Sequence, residues 1–275
     1  MIKKKGHLIR IDTANTTLVI RADTAEYLYY GRKISSAGDF SVCEGASPRR
    51  LLSRPQRADY GEPNLILCNA DGGFTYDFTF SRARIAAEKN EIPGLPSSYG
   101  EGKTLELKYV DLPTKVCLYI YYTVYDDSDV IAVSSKIVNG SKKEIRLRRL
   151  MSLQMDLPGT DYKIVTFEGS WARERRKTVR ELESGVFCTD SKRGMSSHQS
   201  NPFVMAENER GVYAFNLVYS GNHKEIFECD RPGGKTRFLT GINDYMFDWA
   251  LAPSEEFCAP EAVMCFAPDE GALSA

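Results

Sequence analysis

Four clusters in this sequence hold enough hydrogen-bonding and aromatic side chains to do chemistry. The first is Gly169-Ser170-Trp171-Ala172-Arg173-Glu174-Arg175-Arg176. A Trp beside three Arg and a Glu can stack on a sugar face and hydrogen-bond its hydroxyls. The same residues suit an Arg-rich edge or interface loop with an internal ion pair, since Trp and Arg are common interface anchors. The second is Arg193-Gly194-Met195-Ser196-Ser197-His198-Gln199-Ser200-Asn201-Pro202-Phe203. His198 there can contact a ligand or act as a general base, but the spacing suggests no acid or nucleophile beside it. An ordered polar loop satisfied by its own backbone is the alternative. The third is Arg57-Ala58-Asp59-Tyr60-Gly61-Glu62-Pro63-Asn64. Its two carboxylates stand three residues apart, as acid–base work could use, or the segment is a turn that closes a strand. The fourth is Tyr219-Ser220-Gly221-Asn222-His223, followed by Gly241-Ile242-Asn243-Asp244-Tyr245-Met246-Phe247-Asp248-Trp249. Polar loop groups beside aromatics suit carbohydrate contact, and equally strand-end packing. The sequence has no Gly-rich phosphate loop, no GxSxG elbow and no HExxH.

The elements that must position these clusters are strands. Residues 105–111 alternate apolar and polar, and residues 115–125 form a long Tyr-rich run. Residues 130–138 and 145–153 flank Asn139-Gly140-Ser141-Lys142, and Asn-Gly predicts a type I′ hairpin between them. A second hairpin is expected at Gly233-Gly234, between residues 226–229 and 236–239. Further strands are expected at 18–20, 65–67, 74–80, 163–168, 211–218 and 262–266. Helical signals are sparse: residues 81–90 could form a short helical turn. No βαβ rhythm, internal repeat or Pro-rich linker appears. The pattern predicts one all-β sandwich of many antiparallel strands with few short helices.

Composition sets the outer bounds. The 275 residues are 42% hydrophobic and 27% charged, an ordinary globular balance. Lys plus Arg number 36 and Asp plus Glu 37, so the net charge of -1 carries no footprint for nucleic acid. No stretch approaches 18 apolar residues and no apolar segment follows the basic start, so neither a membrane span nor a signal peptide is expected. The seven Cys include no CxxC pair, and the three His (His7, His198, His223) are not near any Cys pair. Free thiols in a reducing cytoplasm are the expectation, with no metal site and no cofactor.

Taken in order, these segments resemble the N-terminal region of glycoside hydrolase family 36, the bacterial α-galactosidases acting on melibiose and raffinose. The similarity runs through Tyr29-Tyr30-Gly31-Arg32, Asp59-Tyr60-Gly61-Glu62-Pro63, Leu95-Pro96-Ser97-Ser98-Tyr99 and Tyr122-Thr123-Val124-Tyr125. Its stronger half comprises the Trp171 cluster, Arg193 to Gln199 with Asn201-Pro202-Phe203, Val218-Tyr219-Ser220-Gly221-Asn222, Gly241-Ile242-Asn243 and Pro260-Glu261-Ala262-Val263-Met264. The resemblance implies a β-supersandwich of the galactose mutarotase type, followed in the family by a (β/α)₈ barrel and a C-terminal β domain. It also implies retaining catalysis by two barrel Asp residues, one as nucleophile in a Lys-Trp-Asp-type motif. A barrel needs about 250 residues, and the β pattern already occupies most of this chain. Trp171 and Trp249 are each followed by Ala, so no Trp-Asp dipeptide exists. The chain is therefore expected to be one N-terminal domain over residues 1–275 without catalytic residues, its last residues standing where the family chain continues into the barrel.

Two departures from the family pattern stand out. Asp59-Tyr60-Gly61 replaces an Asp-Phe-Arg, which removes an Arg contact, and the stretch 33–57 is shorter than in relatives whose loop reaches a neighbouring subunit. That shortening bears on Asp39, Arg49 and Arg50. Under the resemblance, Asp59, Trp171, Arg173, Arg175, His198, Asn201 and Asn222 are the candidates for substrate binding or barrel contact. The partners are the catalytic barrel of the same protein, α-galactoside sugars and further copies in an oligomer. Two other readings stay open: a free-standing carbohydrate-binding sandwich, and a sandwich epimerase or lyase with His198 or His223 as base.

Overall fold

The computed structural model describes residues 1–35 and 48–268. Asp39, Cys43 and residues 269–275 lie outside the described residues. In chain order the strands are β1 (Ile2–Lys5), β2 (Leu8–Asp12), β3 (Thr16–Arg21), β4 (Glu26–Arg32), β5 (Leu65–Cys68), β6 (Phe78–Ala86), β7 (Gly102–Asp111), β8 (Cys117–Tyr125), β9 (Ile131–Val138) and β10 (Ile145–Pro158). They continue with β11 (Lys163–Ser170), β12 (Arg173–Glu181), β13 (Gly185–Asp190), β14 (Phe203–Asn208), β15 (Gly211–Leu217), β16 (His223–Asp230), β17 (Lys235–Ile242), β18 (Trp249–Leu251), β19 (Glu256–Cys258) and β20 (Ala262–Ala267). The one helical piece among the described residues is a 3₁₀ turn at Pro55–Arg57.

The strands form three sheets. One is a four-stranded meander, β1-β2-β3-β4. A six-stranded sheet runs β13-β16-β17-β10-β18, with β5 also on β10. A ten-stranded sheet runs β12-β11-β14-β15-β20-β9-β8-β7-β6, with β19 on β9. The ladders are antiparallel, among them β7 on β8, β16 on β17 and β15 on β20. The ten-stranded sheet packs against the other two, and tyrosines stitch the layers together. The Tyr27 hydroxyl donates to the Gln154 carbonyl at 3.0 Å and so accepts from the Tyr122 hydroxyl at 2.6 Å. Tyr109 donates to the Ala22 carbonyl at 2.9 Å and Tyr213 to the Tyr30 carbonyl at 3.1 Å. A buried phenol costs free energy unless it is bonded, so each of these contacts fixes one layer over the other. Burial pushes the Tyr109 and Tyr27 phenols up, which keeps them neutral donors. Phe215 of the large sheet stacks on Phe238 of β17 at 3.9 Å between ring centroids.

The expected hairpin at Gly233-Gly234 is present: β16 and β17 pair from His223↔Ile242 to Asp230↔Lys235, and Gly234 takes φ +66°. The expected hairpin at Asn139-Gly140 is not. β9 pairs with β8, β19 and β20, whereas β10 pairs with β17, β18 and β5, so this segment is a crossing between sheets. Neither Asn139 nor Gly140 has positive φ, as a type I′ turn requires. Asn139 instead works as a fully buried junction. Its Nδ2 donates to the carbonyls of Lys143 and Leu251, both at 2.8 Å, and its Oδ1 accepts from the Ser141 amide at 2.9 Å. Gly140 is required by proximity: a Cβ there would lie 2.0 Å from the Lys115 carbonyl oxygen. The helical turn expected at 81–90 is also overturned. Residues through Ala86 continue β6, whose ladder with β7 runs from Phe78↔Asp111 to Ala86↔Thr104. Pairing along that ladder outweighs the helix propensity of the Arg- and Ala-rich stretch, a local preference that tertiary pairing overrides. The strand itself starts at Phe78, four residues later than the pattern suggests.

An ion cluster lays the irregular segment 54–64 onto the six-stranded sheet. Arg237 of β17 meets Asp156 of β10 at 2.8 Å and Asp59 at 2.8 Å, with the three side chains only 3%, 0% and 4% exposed. Its Nη1 also donates to the Glu62 carbonyl at 3.2 Å. Lys235 lies 3.5 Å from Asp156 and Arg50 lies 3.8 Å from Asp59.

Arg237→Met strands two buried carboxylates and is expected to destabilise the domain by about 3–5 kcal/mol, read as a lower urea midpoint at unchanged m. Asn139→Ala leaves the Lys143 and Leu251 carbonyls without their donor, and a loss of about 2–3 kcal/mol is expected in the same titration.

Candidate functional site

Three of the four sequence clusters meet at one end of the β16–β17 hairpin. The loop 191–203 is the centre. Its Gly194 amide donates to Asn222 Oδ1 at 2.6 Å, and its Ser196 amide to the Ser220 carbonyl at 2.8 Å. Toward the β11–β12 hairpin, the Gly169 amide donates to the Gln199 carbonyl at 2.8 Å and the Asn201 amide to the Phe167 carbonyl at 2.9 Å. Asn201 is turn-forming: Oδ1 accepts from the Phe203 amide at 2.9 Å while Nδ2 donates to Ser197 Oγ at 3.1 Å. Ser197 itself sits at φ +66°. Asn243, buried just past β17, donates through Nδ2 to Asp190 Oδ2 at 3.1 Å and to the Ser191 carbonyl at 3.0 Å. The Asn243 amide donates to the Asn222 carbonyl at 3.1 Å. Asn222 and Asn201 are thus committed to holding loops.

Beneath this rim His223 is paired with Glu225, a partner that local patterning did not single out. His223 and Glu225 stand two apart on β16, so their side chains share one face. Both are fully buried, with Nδ1 2.9 Å from Glu225 Oε2 and Nε2 3.1 Å from the Ser200 carbonyl. Thr240 of β17 donates to Glu225 Oε1 at 3.2 Å. Burial alone would lower the imidazole, but the Glu225 carboxylate and the Ser200 carbonyl hold it above the ordinary range. With both nitrogens engaged and no exposed edge, His223 cannot serve as a catalytic base, and that role is withdrawn. His198, half-buried on the rim, has Nδ1 3.4 Å from an Arg193 guanidinium nitrogen. The two-residue spacing of His223 and Glu225 in a strand was the signal available for the buried pair.

The exposed part of the rim is aromatic, sulfur-bearing and cationic. Trp171 is 86% exposed at the tip of the β11–β12 hairpin, where Ala172 takes φ +60°. Every residue of β12 but Thr178 is exposed, Arg173 and Arg175 included, so this strand projects beyond the sandwich. Met195 and Tyr245 are half exposed and Met246 is 85% exposed. Lys192 lies 5.3 Å from the Tyr245 ring centroid.

Asp59 is elsewhere. Its ion partner Arg237 lies five residues along β17 from Ile242, a separation of about 17 Å at ~3.3 Å per residue. Its carboxylate is bound by Arg237, and Glu62 is bound by Arg149 at 2.8 Å, so the two carboxylates of the third cluster face different guanidiniums rather than one another. The segment between them parts two clefts. One, of about 420 Å³, is lined by Tyr60, Gly61, Glu228, Asp230 and Lys235. The other, of about 300 Å³, is lined by Tyr60, Pro63, Leu67, Phe74 and Tyr76. Tyr60 stands exposed between them. Gly61 is packed so closely that a Cβ would lie 2.6 Å from Glu228 Oε2. Among the described residues no group of three His, Cys, Asp or Glu could hold a metal ion.

Comparison with known proteins gives this geometry its context. A sequence model described as the glycosyl hydrolase family 36 N-terminal domain matches residues 23–252. Alpha-galactosidase Mel36A of Lactobacillus acidophilus is 35% identical over 224 residues, which cover 78% of this chain and 30% of Mel36A. Alpha-galactosidase AgaA of Geobacillus stearothermophilus is 34% identical over 223 residues, again 78% of this chain and 30% of the relative. The crystal structure of the family 36 alpha-galactosidase AgaB from Geobacillus stearothermophilus superposes with a TM-score of 0.90 at 26% identity, covering 98% of this chain and 41% of that one. A variant of AgaA in complex with raffinose superposes at 0.87 with 27% identity over 94% of this chain and 40% of its own. The chain spans about a third of the curated relatives it matches. It belongs to glycosyl hydrolase family 36, through that family's N-terminal domain.

Proposed function

We propose that the chain is the non-catalytic N-terminal part of a retaining α-galactosidase acting on terminal α-galactosides such as melibiose and raffinose. It docks on the catalytic barrel through the rim that carries Trp171, frames the substrate entrance and helps the protein oligomerise in the cytoplasm. One observation carries this reading: the candidate acid–base groups Asp59, Glu62 and His223 are all committed internally, while the large apolar groups at the rim are not. Asp59 is bound by Arg237, Glu62 by Arg149 and His223 by Glu225 and Ser200. Retaining glycoside hydrolysis needs two carboxyl groups facing one substrate, about 5–5.5 Å apart. The relatives carry the name alpha-galactosidase, and the AgaA variant was solved with raffinose, which supports the substrate class.

The test is hydrolysis of a nitrophenyl α-galactoside by this chain alone. No turnover is expected, and clear turnover that survives removal of host enzyme overturns the proposal. Titration calorimetry with galactose, melibiose and raffinose separates it from a free-standing sugar-binding module, and no heat is expected at millimolar sugar. Trp171→Ala supplies a third check. In this chain the exposed indole leaves stability within about 0.5 kcal/mol. In the full-length protein the same change is expected to cost about 2 kcal/mol or more of domain docking, seen as an earlier, separate unfolding transition.

A further inference from the structure

The rim loop is tied to the sheet interior by a group that exists in two charge states. His223 Nδ1 faces a carboxylate and Nε2 faces the Ser200 carbonyl oxygen, 2.9 and 3.1 Å away. Both partners accept only. A neutral imidazole has one N–H and an imidazolium two, so against an ionised Glu225 only the protonated ring satisfies both contacts. We propose that His223 is a proton-operated latch, which in its charged form holds Ser200 and the 197–201 half of the rim loop on the sheet, and which releases them when it loses a proton. The reading concerns this chain by itself and does not depend on the proposed function.

The latch sits in a defined electrostatic surround. Glu225 faces it on its own strand. From the neighbouring β13 come Asp190, which acts on both His223 and Glu225, and the Cys188 thiol, which Glu225 and Asp190 help to keep protonated. Lys192 is paired with Asp190 at 3.0 Å, and Lys224 is paired with Asp244 on the side away from the ring. From β17 the facing group is the uncharged Thr240. Loss of the proton leaves Nδ1–H on Glu225, the stronger acceptor, and turns the Nε2 lone pair toward the lone pairs of Ser200. The contact between the ring and the Ser200 carbonyl changes from attraction to repulsion. The Ser197 amide also donates to the Ser200 carbonyl at 3.0 Å, within the loop, while the backbone bonds that leave the segment run to Phe167 and Gly169, at the base of the β11–β12 hairpin, which therefore shifts with it.

The sign follows from the direction of the shift. The folded pKa of His223 is raised above its ordinary value. The latched state is fully held below about pH 6.5, the unfolded value, and is lost as pH rises through the higher folded value.

Hydrogen exchange of the full chain, followed amide by amide from pH 6 to 10 and corrected for intrinsic rate, tests this beside the ¹⁵N shifts of the His223 ring. Protection of the Asn201 and Gly169 amides is expected to fall about tenfold or more across the pH interval in which the ring loses its proton, while Phe227 and Phe238 stay protected. Glu225→Gln keeps the shape and removes the charge, and is expected to move the midpoint down by about one pH unit or more. The proposal is overturned if loop protection does not change across the His223 titration. An unchanged midpoint in Glu225→Gln overturns it too. So does loss of β16 and β17 protection at the same pH, since the pair would then be holding the sheet. Should the variant fail to fold, the wild-type series decides alone.

Discussion

The buried guanidinium of Arg237 is the interaction on which this arrangement depends. An irregular segment can lie across a sheet only if its polar groups find partners there, because a lost hydrogen bond in the interior costs more than a made one contributes. Segment 54–64 solves this with charge. Asp59 reaches down to Arg237 and also accepts the Arg54 amide at 3.0 Å, while Asp156 accepts the Arg50 amide at 3.0 Å. Two carboxylates are balanced by Arg237, Lys235 and Arg50, so none of the three fully buried charges lacks a counterion. An apolar replacement of the whole cluster need not be less stable. It would, however, lose the directionality: the planar fork of Arg237 joins β10, β17 and segment 54–64 in one orientation.

The same hairpin that carries Arg237 carries the rim at its other end, so the two polar systems are coupled through the register of β16 and β17. Phe227↔Phe238 sits between them, with Phe215 stacked over Phe238. This apolar middle insulates one charge cluster from the other. A displacement along β17 of one residue would turn Arg237 and Thr240 away from their partners together, because neighbouring strand residues point to opposite faces.

The sequence told much about the strands and less about their neighbours. Period-two patterning placed most of the strand cores, and the Gly-Gly turn gave the β16–β17 hairpin. Asn-Gly misled because turn chemistry is local while the destination of a strand is not. Asn139 has its bonding satisfied by Leu251, 112 residues on, which no window around it contains. The Arg237 cluster was invisible for the same reason, since its partners lie 81 and 178 residues away. The resemblance of ordered motifs identified the family where physics alone stopped at an all-β sandwich. Residue types alone had marked the Trp171 and His198 clusters as polar and aromatic. Only coordinates separate Asn201 and Asn222, which hold loops, from Trp171, which touches little.

The composition of the rim also decides what kind of contact it can make. Ordering a long Arg side chain costs up to about 2 kcal/mol, so fixing Arg173, Arg175, Arg176 and Arg180 together costs about as much as exposed ion pairs to a partner would return. Those arginines guard the edge of β12 against strand addition and favour an acidic partner face, but they do not supply net attraction. Trp171 does. Burying an indole removes on the order of 200 Å² from water, which at about 25 cal/mol per Å² is about 5 kcal/mol before losses. Its loss of rotamer freedom is smaller than that of an arginine, and Ala172 at φ +60° already fixes the turn beside it. The hairpin is therefore an apolar anchor in a cationic collar, and the indole rather than the arginines would supply most of the attraction in any contact it makes.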